Sequence, residues 1–135
     1  MGARINYVFK ANMEQPYLVL YSHWGETTWH SDLAAALVSA RGRWSDPSYA
    51  TRITISHMIG EGWAMETGWG LHVNEIGDNE HKIAIIDFGQ QTFSLHDEAP
   101  HNDLDNKVKG MKNEAIFTQD LSNFCEKYSD QLVRV

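Results

Sequence analysis

Residues 21–33 read YSHWGETTWHSDL and bring His23, Glu26 and His30 together with Trp24 and Trp29 in one short polar stretch. Imidazoles beside a carboxylate raise metal ligation and acid–base chemistry first. Zinc sites commonly draw two ligands from a spacing such as HxxxH, because one helical turn or tight loop then aims both at one ion. In HWGETTWH the two histidines stand seven residues apart, and His57 has no close second. No metal ligand set is therefore expected, and these histidines read as solvent-exposed or hydrogen-bonded.

Nucleophilic and phosphate-binding motifs are equally sparse. Cys125 is the single cysteine, so it forms no internal disulfide, and its setting LSNFCEKY reads as a buried thiol on a short helix. No serine stands in a GxSxG elbow. The glycine-rich stretch GEGWAMETG matches neither the P-loop nor the dinucleotide pattern. Carboxylates gather in GDNE, HDEAP and NDLD, runs that read as solvated surface. Neither a catalytic set nor a cofactor is expected.

Charge is more informative. The chain carries −7 overall, which opposes binding to bulk nucleic acid, since a phosphate backbone is held by a basic face. Between Leu33 and His57, however, Arg41, Arg43 and Arg52 face one anion, Asp46, a local balance of +2 that leaves −9 for the rest. Arginine's planar fork suits carboxylate and phosphate recognition. Trp24, Trp29 and Trp44 flank the same region, and a base stacked on an aromatic face gains about 1–3 kcal/mol. The start of a helix at Asp46-Pro47 adds free amides, although Asp46 itself opposes an anion. His23, Trp24, Trp29, His30, Arg41, Arg43, Trp44 and Arg52 thus form a candidate site for a small anionic nucleotide. Structural roles compete with this reading. Trp44 follows Leu33, Leu37 and Ala40 at helical spacing and suits a core. The arginines suit surface ion pairs, and Trp24 and Trp29 suit a core plug, a subunit contact or a ligand stack equally.

The elements that must position these residues follow from periodicity. A chain of 135 residues is one domain by length. RINYVFK alternates Ile5, Tyr7 and Phe9 with Asn6, Val8 and Lys10, and YLVLYS returns as its hairpin partner. Ser31 or Asp32 caps a helix to about Arg43, with Leu33, Leu37, Ala40 and Trp44 inward. Asp46-Pro47 starts a second helix over about 47–61, burying some of Tyr49, Ile53, Ile55, Met58 and Ile59. GLHVNEI and HKIAIIDFG, joined by GDNE, predict a second hairpin, and QQTFSLH a fifth strand. Ile83 to Ile86 are apolar on both faces, so their strand is expected to be central. Residues 97–113 read as a mobile excursion or arm, and Thr118 caps a C-terminal helix with Leu121, Phe124, Cys125 and Tyr128 inward.

The expected fold is therefore α+β: an antiparallel sheet of about five strands, two hairpins plus one strand, with two central helices and a short C-terminal helix. Open sheet edges suit a homodimer or higher homo-oligomer. No apolar run approaches the ~20 residues of a membrane span, and MGARIN completes neither a leader nor a myristoylation motif. An intracellular chain is expected.

NYVF, VLYSHWGE and WHSDLAAAL together resemble a group of small accessory proteins of tailed bacteriophages, over about residues 5–60. The resemblance implies a phage origin and a place in the host cytoplasm. Accessory phage proteins of this size often counter host defence, and one class sequesters nucleotide second messengers. The leading expectation is thus a binder of a cyclic nucleotide or cyclic ADP-ribose type of ligand that leaves it uncleaved. The alternatives are an acidic module that occupies a host protein, using the −9 remainder and residues 97–113, and a hydrolase using His23, Glu26 and His30.

Overall fold

The computed structural model describes residues 4–11, 16–23, 28–79, 81–99 and 108–128. The fold is α+β, with one six-stranded sheet and three α-helices. In chain order these are β1 (Ile5–Lys10), β2 (Leu18–Ser22), α1 (Trp29–Ser39), α2 (Pro47–Ile59), β3 (Trp69–Val73), β4 (Ile83–Asp87), β5 (Thr92–Glu98), β6 (Met111–Asp120) and α3 (Leu121–Tyr128). Single 3-10 turns at Arg41–Arg43 and Gly60–Ala64 follow α1 and α2. Among the described residues no helix is long and apolar enough to cross a membrane.

The sheet order is β3-β2-β1-β4-β5-β6, and β1 pairs β4 in parallel while every other neighbour is antiparallel. The expected five-stranded antiparallel sheet is thereby corrected to six mixed strands. β1 and β2 do form the N-terminal hairpin. The second expected hairpin does not form: β3 lies against β2 at the sheet edge, and β4 lies between β1 and β5. Burial accounts for the exchange. All five residues of β4 are buried, as are Ile5 to Phe9 of β1, and two wholly buried strands share the centre of a sheet most readily. β3 is only half-buried and tolerates the edge.

The sixth strand spans the end of the expected arm and the expected start of the C-terminal helix: Thr118, expected to cap that helix, lies within β6, and α3 begins only at Leu121. MKNEAIFTQD pairs with β5 through register shifts at Leu95/His96 and His96/Glu98. Its side chains are mostly exposed, so it lacks the buried alternation that marks an inner strand. Residues 100–107 of the expected arm lie outside the described residues. Its C-terminal end packs firmly, because Val108 and Met111 are buried and Lys109 exchanges backbone hydrogen bonds with Asn74 and Ile76.

Strand alternation divides the side chains into two layers. Ile5, Tyr7, Phe9, Leu20, Ala84, Ile86 and Phe93 meet the helices, and Leu33, Leu37, Ala40 and Trp44 close that core as expected. On α2, Ile55 and Ile59 are buried, Ile53 and Met58 pack partly, and Tyr49 is exposed. On the opposite face Val8, Tyr17, Val19, Ile76, Ile83, Ile85, Val108 and Met111 form a second cluster. Buried Asn6 faces the same way and ties residues 77–79 to β1: its amide nitrogen donates to the Gly77 and Asp78 carbonyls and Asn79 Oδ1, while its oxygen accepts from Gly77 N–H.

Candidate ligand-binding cavity

The structure separates the residues that the sequence groups. Trp24 and Glu26 lie outside the described residues. α1 begins at Trp29, with Thr28 and not Ser31 or Asp32 at its cap position, three or four residues earlier than expected; the Thr28 hydroxyl donates to the Asp32 carboxylate. That early start turns Trp29 inward: it is 8% exposed and stacks on Phe93 with ring centres 6.1 Å apart. His30 lies between the Trp29 ring at 3.9 Å and the Tyr128 ring at 4.9 Å. Burial, then the charge of Lys127, lowers its pKa. Trp44 is buried and its indole N–H donates to the Leu37 carbonyl at 3.0 Å.

The remaining members sit on the helical side or at the end of β2. Arg41 covers the Trp44 ring at 5.1 Å and Arg43 the Tyr49 ring at 4.9 Å, cation–π arrangements that tether exposed arginines to the helices. Arg52 is exposed on α2. His23 Nδ1 is 3.1 Å from the Tyr21 hydroxyl. Trp29 and Trp44 are thus packing residues, and their indoles offer no open face for a base. Cys125 is buried as expected, and burial pushes its thiol up to about 11.

A cavity of about 510 Å³ opens instead on the sheet face opposite the helices. None of the described residues of the sequence-based site lines it. Its size falls within the range of small-molecule sites. β1 and β4 supply Val8, Ile85, Lys10 and Asp87; β5 supplies Thr92, Ser94 and His96; β6 supplies Asn113, Ala115 and Thr118. Tyr17, Val108 and Met111 complete an apolar wall.

Register explains the polar groups. Lys10 and Asp87 are partners in the parallel β1–β4 ladder and point to the same face, with Nζ 3.6 Å from Oδ2. The other Asp87 oxygen accepts from Gln90 N–H at 3.0 Å, and the Lys10 ammonium stands 5.9 Å from the centre of the Tyr17 ring. On β5 the sequence TFSLHDE sends Phe93 and Leu95 to the helices and Thr92, Ser94 and His96 to the cavity.

His96 has a defined tautomer. Its Nδ1 is 2.8 Å from the Lys112 carbonyl, which can only accept, so the proton resides on Nδ1. In the neutral ring Nε2 is then an acceptor, and the Ser94 hydroxyl, 3.0 Å away, donates to it. Burial lowers the His96 pKa most; the Lys112 and Glu114 carbonyls oppose that effect and the Lys10 charge adds to it. The ring is neutral near pH 7.

Sequence reasoning passed over this site, although a signal was present: Thr92, Ser94 and His96 are polar at every second position of a strand adjoining the apolar run Ile83 to Ile86. The Lys10–Asp87 pair had no local signal, because it depends on a parallel pairing between distant strands. Among the described residues, no group of three or more His, Cys, Asp or Glu is placed to hold a metal ion. No family model, curated protein or solved structure matches this chain.

Proposed function

We propose that the chain is a binding protein that holds a small polar molecule, of nucleoside to nucleotide size, in the sheet-face cavity. The observation that carries this reading is the cavity itself: about 510 Å³, floored by Val8, Ile85 and Met111 and edged by Lys10, Asp87, Ser94, His96 and Asn113. An apolar floor with a few oriented polar groups is the usual composition of a ligand site. The resemblance of residues 5–60 to phage accessory proteins makes a nucleotide-derived signal of host defence the ligand class of choice, sequestered rather than turned over. The seat differs from the arginine- and tryptophan-lined one expected from sequence. Self-association through the β3 edge belongs to the same proposal, supported by exposed Trp63, Met65, Leu71 and Val73 along it.

The test is recovery of intact ligand. The protein is incubated with a panel of cyclic dinucleotides and cyclic ADP-ribose isomers, freed of excess and heated, and the released molecules are weighed by mass spectrometry. The expected result is one intact panel member released by the native chain and none by Ala115→Trp, which places an indole in the cavity. No release from the native chain, or equal release from both, contradicts the reading.

A further inference from the structure

We propose that Ser94 is a nucleophile activated by His96, and that the sheet-face cavity hydrolyses small carboxylic esters. Ser94 Oγ lies 3.0 Å from His96 Nε2, and His96 Nδ1 lies 2.8 Å from the Lys112 carbonyl. Nucleophile, base and orienting group therefore stand in line, each within hydrogen-bond reach of the next. Both catalytic side chains project from one face of β5, two residues apart, so the sheet holds their geometry rather than a loop. Both line the cavity. The neutral ring, with its free pair aimed at Ser94, is the form required of a general base.

The surroundings suit an acyl group. Val8, Ile85 and Met111 offer an apolar bed, and Thr118, the register partner of Ser94 across β5 and β6, lines the same cavity. In the reaction Ser94 Oγ bonds to the ester carbonyl carbon as its proton passes to His96 Nε2. The carbon–oxygen bond to the alcohol breaks, and the alcohol leaves with that proton. Water then attacks the acyl-serine, gives a proton to Nε2 and releases the carboxylic acid as Ser94 recovers its hydrogen. The overall change is ester plus water to acid plus alcohol. A carbonyl in place of a carboxylate fixes the tautomer of His96 without neutralising an imidazolium, so turnover is expected to be slow.

This reactivity goes beyond the binding reading and coexists with it, since a cyclic nucleotide has no acyl carbon for Ser94 to attack. The test uses the full chain with a fluorophosphonate probe and with p-nitrophenyl acetate. The expected results are a single covalent adduct mapped to Ser94 by peptide mass spectrometry, and a burst of p-nitrophenolate approaching one equivalent. Both should vanish in Ser94→Ala and slow by about a hundredfold in His96→Gln, with circular dichroism confirming that each variant is folded. Absence of an adduct on Ser94 in the folded native chain, adducts only elsewhere, or equal rates in His96→Gln overturn the proposal. Nucleotide recovery is measured separately on the native chain, so either reading can fail while the other stands.

Discussion

Replacing Lys10 by Met leaves Asp87, whose side chain is 6% exposed, facing the cavity without its ammonium partner at 3.6 Å. Two unit charges at that distance attract by about 5 kcal/mol at an effective dielectric constant near 20. Desolvation of both groups offsets most of this, and the pair is worth far less in net terms. Breaking it is another matter, because removal of one partner from a buried pair costs about 3–5 kcal/mol. Lys10 is 18% exposed, so water reaches the ammonium and the lower end of that range applies, about 3 kcal/mol for Lys10→Met. Asp87→Asn retains an oxygen for the Gln90 N–H and should cost less, about 1–3 kcal/mol. The double variant should be more stable than the sum of the single losses implies by about 1–2 kcal/mol. Urea unfolding at pH 7, followed by tryptophan fluorescence and circular dichroism, gives all four corners of the cycle. Additivity to within about 0.5 kcal/mol would refute the inference that these charges are coupled across the β1–β4 ladder.

Three further perturbations probe the frame around the cavity. Asn6→Ala removes four hydrogen bonds to residues 77–79 and leaves part-buried polar groups there without this partner, so it should cost about 2–4 kcal/mol in urea unfolding; a loss under about 1 kcal/mol contradicts that role. His96 binds its proton less readily when folded, chiefly through burial, so the unfolded chain protonates first as pH falls through about 6.5. Stability linked to His96 is therefore complete above that pH and declines below it, the Lys10 charge adding to the effect of burial and the Lys112 and Glu114 carbonyls opposing it; the difference between native chain and His96→Gln across pH 5–8 should show this slope, and a flat difference contradicts it. Cys125, whose thiol burial raises to about 11, should resist iodoacetamide at pH 8 in the native chain and react in urea, whereas rapid native alkylation would place it at the surface.

Local signals predict local structure well here and fail where the answer depends on partners far away in the chain. The alternation of Ile5, Tyr7 and Phe9, the Asp46-Pro47 helix start and the inward stripe Leu33, Leu37, Ala40 and Trp44 all appear in the structure as expected. The pairing of β4 with β1 does not follow from GDNE, a good turn sequence, because burial of Ile83 to Ile86 outweighs the short hairpin connection. β6 escaped notice since an exposed edge strand needs no apolar rhythm. The candidate site shifted for a single local reason and a distant one. α1 begins at Trp29, so an apparent loop tryptophan becomes a helix residue packed on Phe93, while Lys10 and Asp87 meet only once the parallel ladder forms. Arg41, Arg43 and Arg52, expected at a ligand site, are exposed on the helical side, and exposure there does not make a pocket.

The claim at the centre of these proposals is that the ligand seat is the sheet face and not the helical face. Backbone amide chemical shifts, recorded while the native chain is titrated with whichever panel nucleotide it releases intact on heating, locate that seat directly. Shifts concentrated at Lys10, Thr92, Ser94, His96 and Asn113 are expected. Shifts concentrated at Trp29, His30, Arg41, Arg43 and Trp44, with the β5 amides unmoved, would contradict it.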